Sequence, residues 1–493
     1  MYNRKSLLTA SSFLFALSAA SAFLCAQSAH AAAGVFGRGA PAHIEELPAG
    51  DFRHSLESLP SPARQRALSW LQVLEFPAQD LQYMQVDKQG SIYYVDTFHA
   101  STTKRAQPAT AGGSLPAGIN AGNVFKLHSN PGAGHTIFVD FDGAAISGTA
   151  WNETAGIPTW KTRSYDTDGD TDSFSAAEIG AMVEIWQRIA DNYAPFDVDV
   201  TTEDPGKIGS NTGWILVTHS EAGSRQPLPA ASAGGAAYFN TFGYSHARYF
   251  SPIFVYYNNL NSPAAVAHAA SHEMGHNLSL SHDGSTGSAG SHGAVYKNWA
   301  PVMGLVQNAP VTRWSRGKYR DASNSQDDLG IITGALGLRR DDHEDSRFGT
   351  GTPLAIDGRG NIQAGNPATV LNERNPVNGG VIEERDDVDV FVFTAGAGTV
   401  DITVAPGVRQ GSSLDIDAVL YDAAGKKLAE NNPRDAAAAR LRVKVPGGRY
   451  ILEVKGVGDT SVPDSDYGSI GQFLISGSVP ASRSQGVALK TAP

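Results

Sequence analysis

The stretch His272-Glu273-Met274-Gly275-His276-Asn277-Leu278-Ser279-Leu280-Ser281-His282-Asp283 decides how this chain is read. On an α-helix, residues four apart stand one above the other, so the rings of His272 and His276 can reach one metal ion. Glu273 then sits beside that ion, where its carboxylate can take a proton from a water molecule. His282 offers a third imidazole, which leaves the fourth position of a zinc site open. Ten residues of helix would turn His282 roughly 80° away from the face of His272. It can join the site only if the chain leaves the helix first, so the spacing predicts a helix stop near Leu278 to Leu280. Three imidazoles, a carboxylate and an open position are the layout of a hydrolytic site.

These residues resemble the metzincin zinc peptidases, and within them the adamalysin (reprolysin-like) branch. The resemblance implies zinc held by His272, His276 and His282, with Glu273 as general base. It implies a methionine turn beneath the metal, for which Met303 in Ala300-Pro301-Val302-Met303-Gly304 is the candidate. Asp283 would tie the third-histidine loop to the structure under the metal. Leu305 stands where some branches have a ligating Tyr. Ser279 stands where the family has Gly, at a turn that favours φ > 0; holding Ser there costs about 1 kcal/mol.

At 493 residues the chain is too long for one core. Apolar content of 41% with 18% charged residues is that of a globular protein. Arg4 and Lys5 precede an apolar run from Leu7 through Leu24, and Ala29-His30-Ala31 has small residues at cleavage spacing. Residues 1–31 are thus expected to be a signal peptide, and the product to be secreted. Cys25 is the only cysteine, so the mature protein would have no disulfide. No later run is apolar for long enough to span a bilayer, so no transmembrane segment is expected. The formal charge of −11 disfavours nucleic acid as a partner. A protein or peptide substrate and a monomer are expected instead.

Residues 32–127 read as a propeptide, with a helix after Pro60, a short strand at Ile92 to Val95, and an Ala/Thr/Gly/Pro-rich stretch from Ser101 to Asn123. No cysteine lies in it, so a carboxylate or steric cover must keep the site silent. Residues 128–345 are the expected catalytic domain: α+β, with a zincin arrangement implied by the order of its elements. Ser175 and Glu178 form a capping box opening a helix to Tyr193. Strands are expected at Thr136 to Asp140, Val198 to Thr202, Trp214 to Thr218, Gly234 to Phe239 (an edge strand) and Ile253 to Tyr257. Pro263 starts the zinc helix, and a last helix is expected from Asp321 to Gly337. An extended substrate would add itself to the exposed edge.

After a linker at 346–377, residues 378–480 read as an all-β sandwich, followed by a tail at 481–493. Asp387 to Phe393, Asp417 to Asp422 and Gly448-Arg449-Tyr450 resemble the bacterial pre-peptidase C-terminal domain, a module that follows secreted peptidases.

Calcium is a further candidate cofactor, either at Asp166 to Asp172 or at Glu383 to Asp389. The first stretch fails the EF-hand spacing, and Glu178 is better explained by the capping box. His268 and His292 are weaker site candidates. The expected function is that of a secreted zinc endopeptidase made as a zymogen. The alternative is a secreted binding or adhesion protein whose zincin domain is catalytically inactive.

Overall fold

The computed structural model describes residues 34–100, 119–286, 299–307, 311–365, 377–408, 412–433, 438–458 and 465–482. The expected signal peptide, most of the 101–123 stretch, His292 and nearly all of the tail lie outside them. The chain divides into two compact units, Met1–Ile92 and Tyr93–Pro493. The described residues 93–100 and 119–127, expected to be the end of a propeptide, therefore belong to the second unit. Among its described residues the first unit holds two α-helices, α1 (Asp51–Ser58) and α2 (Ser61–Leu71). Pro62 suits the first turn of α2, where its missing N–H costs nothing.

The second unit is built on one mixed sheet. Strands of that sheet in this unit include β1 (Ile92–Asp96), β2 (His135–Asp140), β3 (Val198–Thr201), β4 (Thr212–Thr218), β5 (Gly235–Tyr238) and β6 (Ile253–Tyr256). They lie in the order β1-β5-β6-β4-β2-β3. β6, β4, β2 and β3 run parallel to one another, whereas β5 runs antiparallel to both β6 and β1. Sequence reasoning placed β5 at the sheet edge; that edge is instead covered by Tyr93 to Asp96.

One face of the sheet buries α3 (Ala176–Asn192) and α4 (Pro263–Asn277). In α3 the capping box is formed: Ser175 Oγ accepts from the Glu178 amide, and Glu178 Oε2 accepts from the Ser175 amide at 2.9 Å. Its Ile179, Met182, Val183, Trp186 and Ile189 recur at helical spacing and pack on Ile137, Val139, Val200 and Val217. The other face carries aromatic rings, with Trp151 4.4 Å from Tyr238 and 5.5 Å from Phe254. The last helix, α5 (Asp328–Leu336), is shorter than expected. Before it, Asn324 and Gln326 bind the loop that carries His282 instead of continuing the helix.

Two further sheets form a C-terminal β domain. One contains β8 (Val388–Ala395), β10 (Ile416–Asp422), β11 (Lys427–Asn431) and β13 (Gly448–Gly456). The other contains β7 (Gly379–Ile382), β9 (Gly398–Pro406), β12 (Ala439–Val445) and β14 (Gly471–Ser478). Alternate residues such as Val400, Ile402 and Val404 face Phe391, Leu420 and Leu452 in a shared core. β7 and β11 were not anticipated, being Gly-rich and polar respectively. Residues 352–353 and 361–362 of the expected linker pair with β8 and β14.

This domain is fixed to the rest of the second unit. The buried Arg313 guanidinium donates to the carbonyls of Ser413 (2.8 Å) and Ser465 (2.5 Å). Tyr467 donates to Asp327 at 2.6 Å, and the Gln472 amide donates to Asp191 at 3.2 Å. Among the described residues no helix is long and apolar enough to cross a membrane.

Candidate metal centre

Ser262 opens α4 by accepting the Ala265 amide with its side chain, and Pro263 occupies the first turn. The helix ends at Leu278. There the Leu280 amide bonds the Gly275 carbonyl at 2.9 Å, and the Ser279 amide bonds the His276 carbonyl at 3.0 Å. This paired closure requires a left-handed residue between them, and Ser279 adopts φ +85°. The turn folds the chain back, so that His282 returns to the side of His272 and His276.

The three rings converge. Their centroids lie 4.7 Å apart for His272 and His276, 5.1 Å for His272 and His282, and 4.8 Å for His276 and His282. A fourth group joins them that sequence reasoning missed. Asp96, at the end of β1, places Oδ2 3.0 Å from His276 Nε2 and 3.4 Å from His272 Nε2, and Oδ1 3.1 Å from His282 Nε2. One ligand atom from each of the four residues lies within 4.8 Å of the others, and all four side chains are buried. This cluster can hold a metal ion. Asp96 was legible only as one aspartate among many, because its strand reaches the site through sheet pairing.

The far nitrogen of each helical ring is anchored to backbone. His272 Nδ1 lies 3.0 Å from the Val302 carbonyl, and His276 Nδ1 lies 2.7 Å from that of Leu280. Such bonds leave Nε2 of each ring directed at the cluster. Three consecutive carbonyls share the work at the 302–304 turn. Val302 O faces His272, Met303 O accepts the Asp283 amide at 2.9 Å, and Gly304 O faces His268 Nε2 at 2.8 Å. His268 is thereby committed to the turn and is not part of the cluster. The Met303 side chain lies directly under α4: a Cβ on Gly275 would be 2.4 Å from its sulfur. Asp283 is buried beside Asp328, whose carboxyl is pushed well above its usual range by burial and by the Asp283 charge. Gln326 accepts the Ser281 amide at 2.8 Å and donates to the Ser279 carbonyl at 3.3 Å, bracing the third-histidine loop.

Burial holds His272 down to about 4, against the opposing hydrogen bond of Asp96, and it lowers His276 as well. Neutral imidazoles are the form that binds metal. Asp96 lies well below the ordinary carboxylate range. Burial works against this, but the charge of His282 and bonds from all three histidines outweigh it. Glu273 is fully buried and neither oxygen has a hydrogen-bond partner among the described residues. Burial, and then the neighbouring Asp96, push its carboxyl well up.

Two further clusters lie in the C-terminal β domain and its approach, one of Asp342, His343 and Asp389 and one of Asp341, Glu383 and Asp387. Glu383 and Asp389 are buried, their carboxylate oxygens without a hydrogen bond among the described residues, and Arg339 Nε stands 4.0 Å from Glu383 Oε1. Burial, reinforced by Asp342 and Asp387, raises Glu383 to about 11 and Asp389 to about 10. His343 lies against Asp389, but its ring nitrogens are engaged by Thr352 Oγ1 and the Gly379 carbonyl. In the Asp166–Asp172 loop the acids serve the loop itself. Asp166 accepts the amides of Asp168 and Gly169, Asp168 that of Asp170, and Asp170 that of Asp172.

No family model matches the chain. Over 115 residues it is 33% identical to a probable subtilase-type serine protease of Deinococcus radiodurans, a stretch covering 22% of this chain. The match spans only 16% of that relative's length, and the relative is a serine protease, not a metallopeptidase. Among solved structures, the pre-peptidase C-terminal domain of a collagenase from Bacillus anthracis is similar over 20% of this chain and 83% of its own. The identity is 17% and the TM-score 0.15. The chain is thus similar over part of its length to a protease.

Proposed function

We propose that the protein is a zinc-dependent endopeptidase, secreted as a zymogen, acting on protein or peptide substrates as a monomer. The observation that carries the reading is the convergence of His272, His276 and His282, with Glu273 on the same helix. Nitrogen donors at three buried imidazoles suit Zn²⁺, which takes four ligands of this kind at close range. Bound there, zinc would supply a Lewis acid that polarises a scissile carbonyl and acidifies water.

The protein's own part is positioning and proton transfer. Glu273 would take the proton of the attacking water and deliver it to the leaving amine. The backbone anchors at Val302 and Leu280 would keep the rings from turning, and Met303 and Asp283 would hold the floor and the third-histidine loop. β5 would bind an extended substrate through its backbone. The oxygen-rich surroundings of Glu383 and Asp389 suit calcium, a hard cation that would offset crowded, buried carboxylates which Arg339 alone, 4.0 Å from Glu383, compensates only in part.

Hydrolysis of casein by the activated protein, with and without a zinc chelator, tests the reading against the Glu273→Gln variant. Chelator-sensitive cleavage by the native sequence, lost in Glu273→Gln with zinc still bound, is expected. A zinc-loaded, processed protein that cleaves no peptide library would favour the inactive binding protein instead.

A further inference from the structure

The segment Tyr93–Phe98 occupies the place that the proposed function gives to substrate. Its residues pair antiparallel with β5 in unbroken register, Gly235 opposite Asp96, Ala236 opposite Val95, Ala237 opposite Tyr94 and Tyr238 opposite Tyr93. The Gly234 amide adds a bond to the Asp96 carbonyl at 2.8 Å. The segment is seated on both sides of the cluster. Tyr94 stacks on His276 with centroids 3.9 Å apart and meets His282 edge-on at 5.0 Å. Phe98 meets His272 edge-on at 5.2 Å, in a space that exists because residue 234 is glycine: a Cβ there would lie 2.6 Å from its ring. Beyond it, the backbone of His99–Ala100 pairs with Val306–Gln307, just past the 302–304 turn. Between the two aromatic residues, Asp96 is fully buried, and its ion pairs among the described residues are with the three site histidines.

We propose that Tyr93–Phe98 is a built-in, substrate-like inhibitor whose Asp96 carboxylate fills the fourth ligand position of the metal. The inference rests on the zinc reading above. It accounts for a site with no cysteine in the 32–127 segment to block it, and for an aspartate that, among the described residues, is buried with no Lys or Arg in ion-pair reach. The same four residues in a permanent structural site would need Asp96 to keep the metal at all. An inhibitory Asp96 would not be needed for that, since three imidazoles remain when it is gone. The two roles therefore differ in what a variant retains.

The test uses the full chain loaded with Co²⁺ in place of zinc, comparing the native sequence with Asp96→Asn, which keeps the side-chain shape, and with Asp96→Ala. Bound cobalt is counted by elemental analysis, the visible cobalt spectrum is recorded, and acetohydroxamate is titrated as a small ligand for the open position. All three chains are expected to hold one cobalt. Both variants should show an altered spectrum and bind acetohydroxamate at least about tenfold more tightly, because a position filled most of the time lowers apparent affinity by the vacant fraction. They should also cleave casein without prior processing. Loss of cobalt from Asp96→Asn would make Asp96 a permanent ligand and overturn the proposal. An unchanged spectrum with unchanged acetohydroxamate affinity would overturn it too, while leaving the zinc reading intact. A native chain that binds no cobalt, with His276→Ala behaving identically, would instead remove the zinc reading and the inhibitor with it.

Discussion

Gly235 and Glu273 touch across the gap between strand and helix: a Cβ on Gly235 would stand 2.4 Å from Glu273 Oε1 and 2.7 Å from its Cγ. β5 can run this close to α4 only because residue 235 has no side chain. The carboxylate of Glu273 is held in its position by that bare stretch of backbone. Gly235→Ala is therefore expected to push Glu273 aside while leaving the histidines untouched. A displacement of about 1 Å costs roughly a hundredfold in rate when a catalytic group is misplaced. Casein hydrolysis should fall by that order with zinc content unchanged. Full activity in Gly235→Ala would mean that Glu273 does not act from this position.

Ser279 closes α4 at φ +85°, a conformation that suits glycine. Ser279→Gly should relieve strain of about 1 kcal/mol, part of it offset by the greater freedom of glycine in the unfolded chain. A higher denaturant midpoint with the same slope is the expected result. Ser279→Val, whose branched side chain fits φ > 0 poorly, should lower the midpoint and loosen the turn that returns His282 to the site.

Asp191 ties α3 to the C-terminal β domain through the Gln472 amide. Burial raises its carboxyl to about 6, although the Gln472 and Ser413 amides, Ser412 and Arg188 pull the other way. A carboxyl whose folded value is raised binds its proton more tightly in the native state. Its contribution is fully present below about 4, the unfolded value, and is lost as pH rises through about 6. Asp191→Asn should remove that slope. Relative to the native sequence it should gain on the order of 2–3 kcal/mol between pH 4 and pH 7, measured by urea unfolding across the range. A difference between the two proteins that does not change with pH would contradict this.

Glu383 and Asp389 would release their protons to a cation. Calcium at about a hundred times its dissociation constant should stabilise the protein by about 2.7 kcal/mol. The rise in melting temperature should disappear in Asp389→Asn, which without calcium should be at least as stable as the native sequence. Equal calcium responses in the two proteins would exclude the site.

Several features were legible in sequence because they depend on residues close together in the chain. The capping box at Ser175 and Glu178, the start of α4 at Ser262 and Pro263, and its stop at Leu278 follow from helix geometry alone. The strand positions followed from alternation of apolar residues, with ends shifted by one or two positions. β7 and β11 carry little such alternation, and the helix expected from Asp321 failed because Asn324 and Gln326 bond to the loop of residues 279–281.

The sequence by itself determined that His272, Glu273 and His276 share a helix and that His282 lies past a turn, since a period of 3.6 residues fixes both. Only the tertiary structure decided what faces them. Asp96 reaches His276 across 180 positions because β1 pairs with β5, and strand pairing between distant segments depends on the whole sheet. Asp342 approaches Asp389 for the same kind of reason, as the approach to the β domain folds back beside β8. Local spacing sets which groups a helix presents; the partners that fill or block the site are chosen by contacts that no local pattern records.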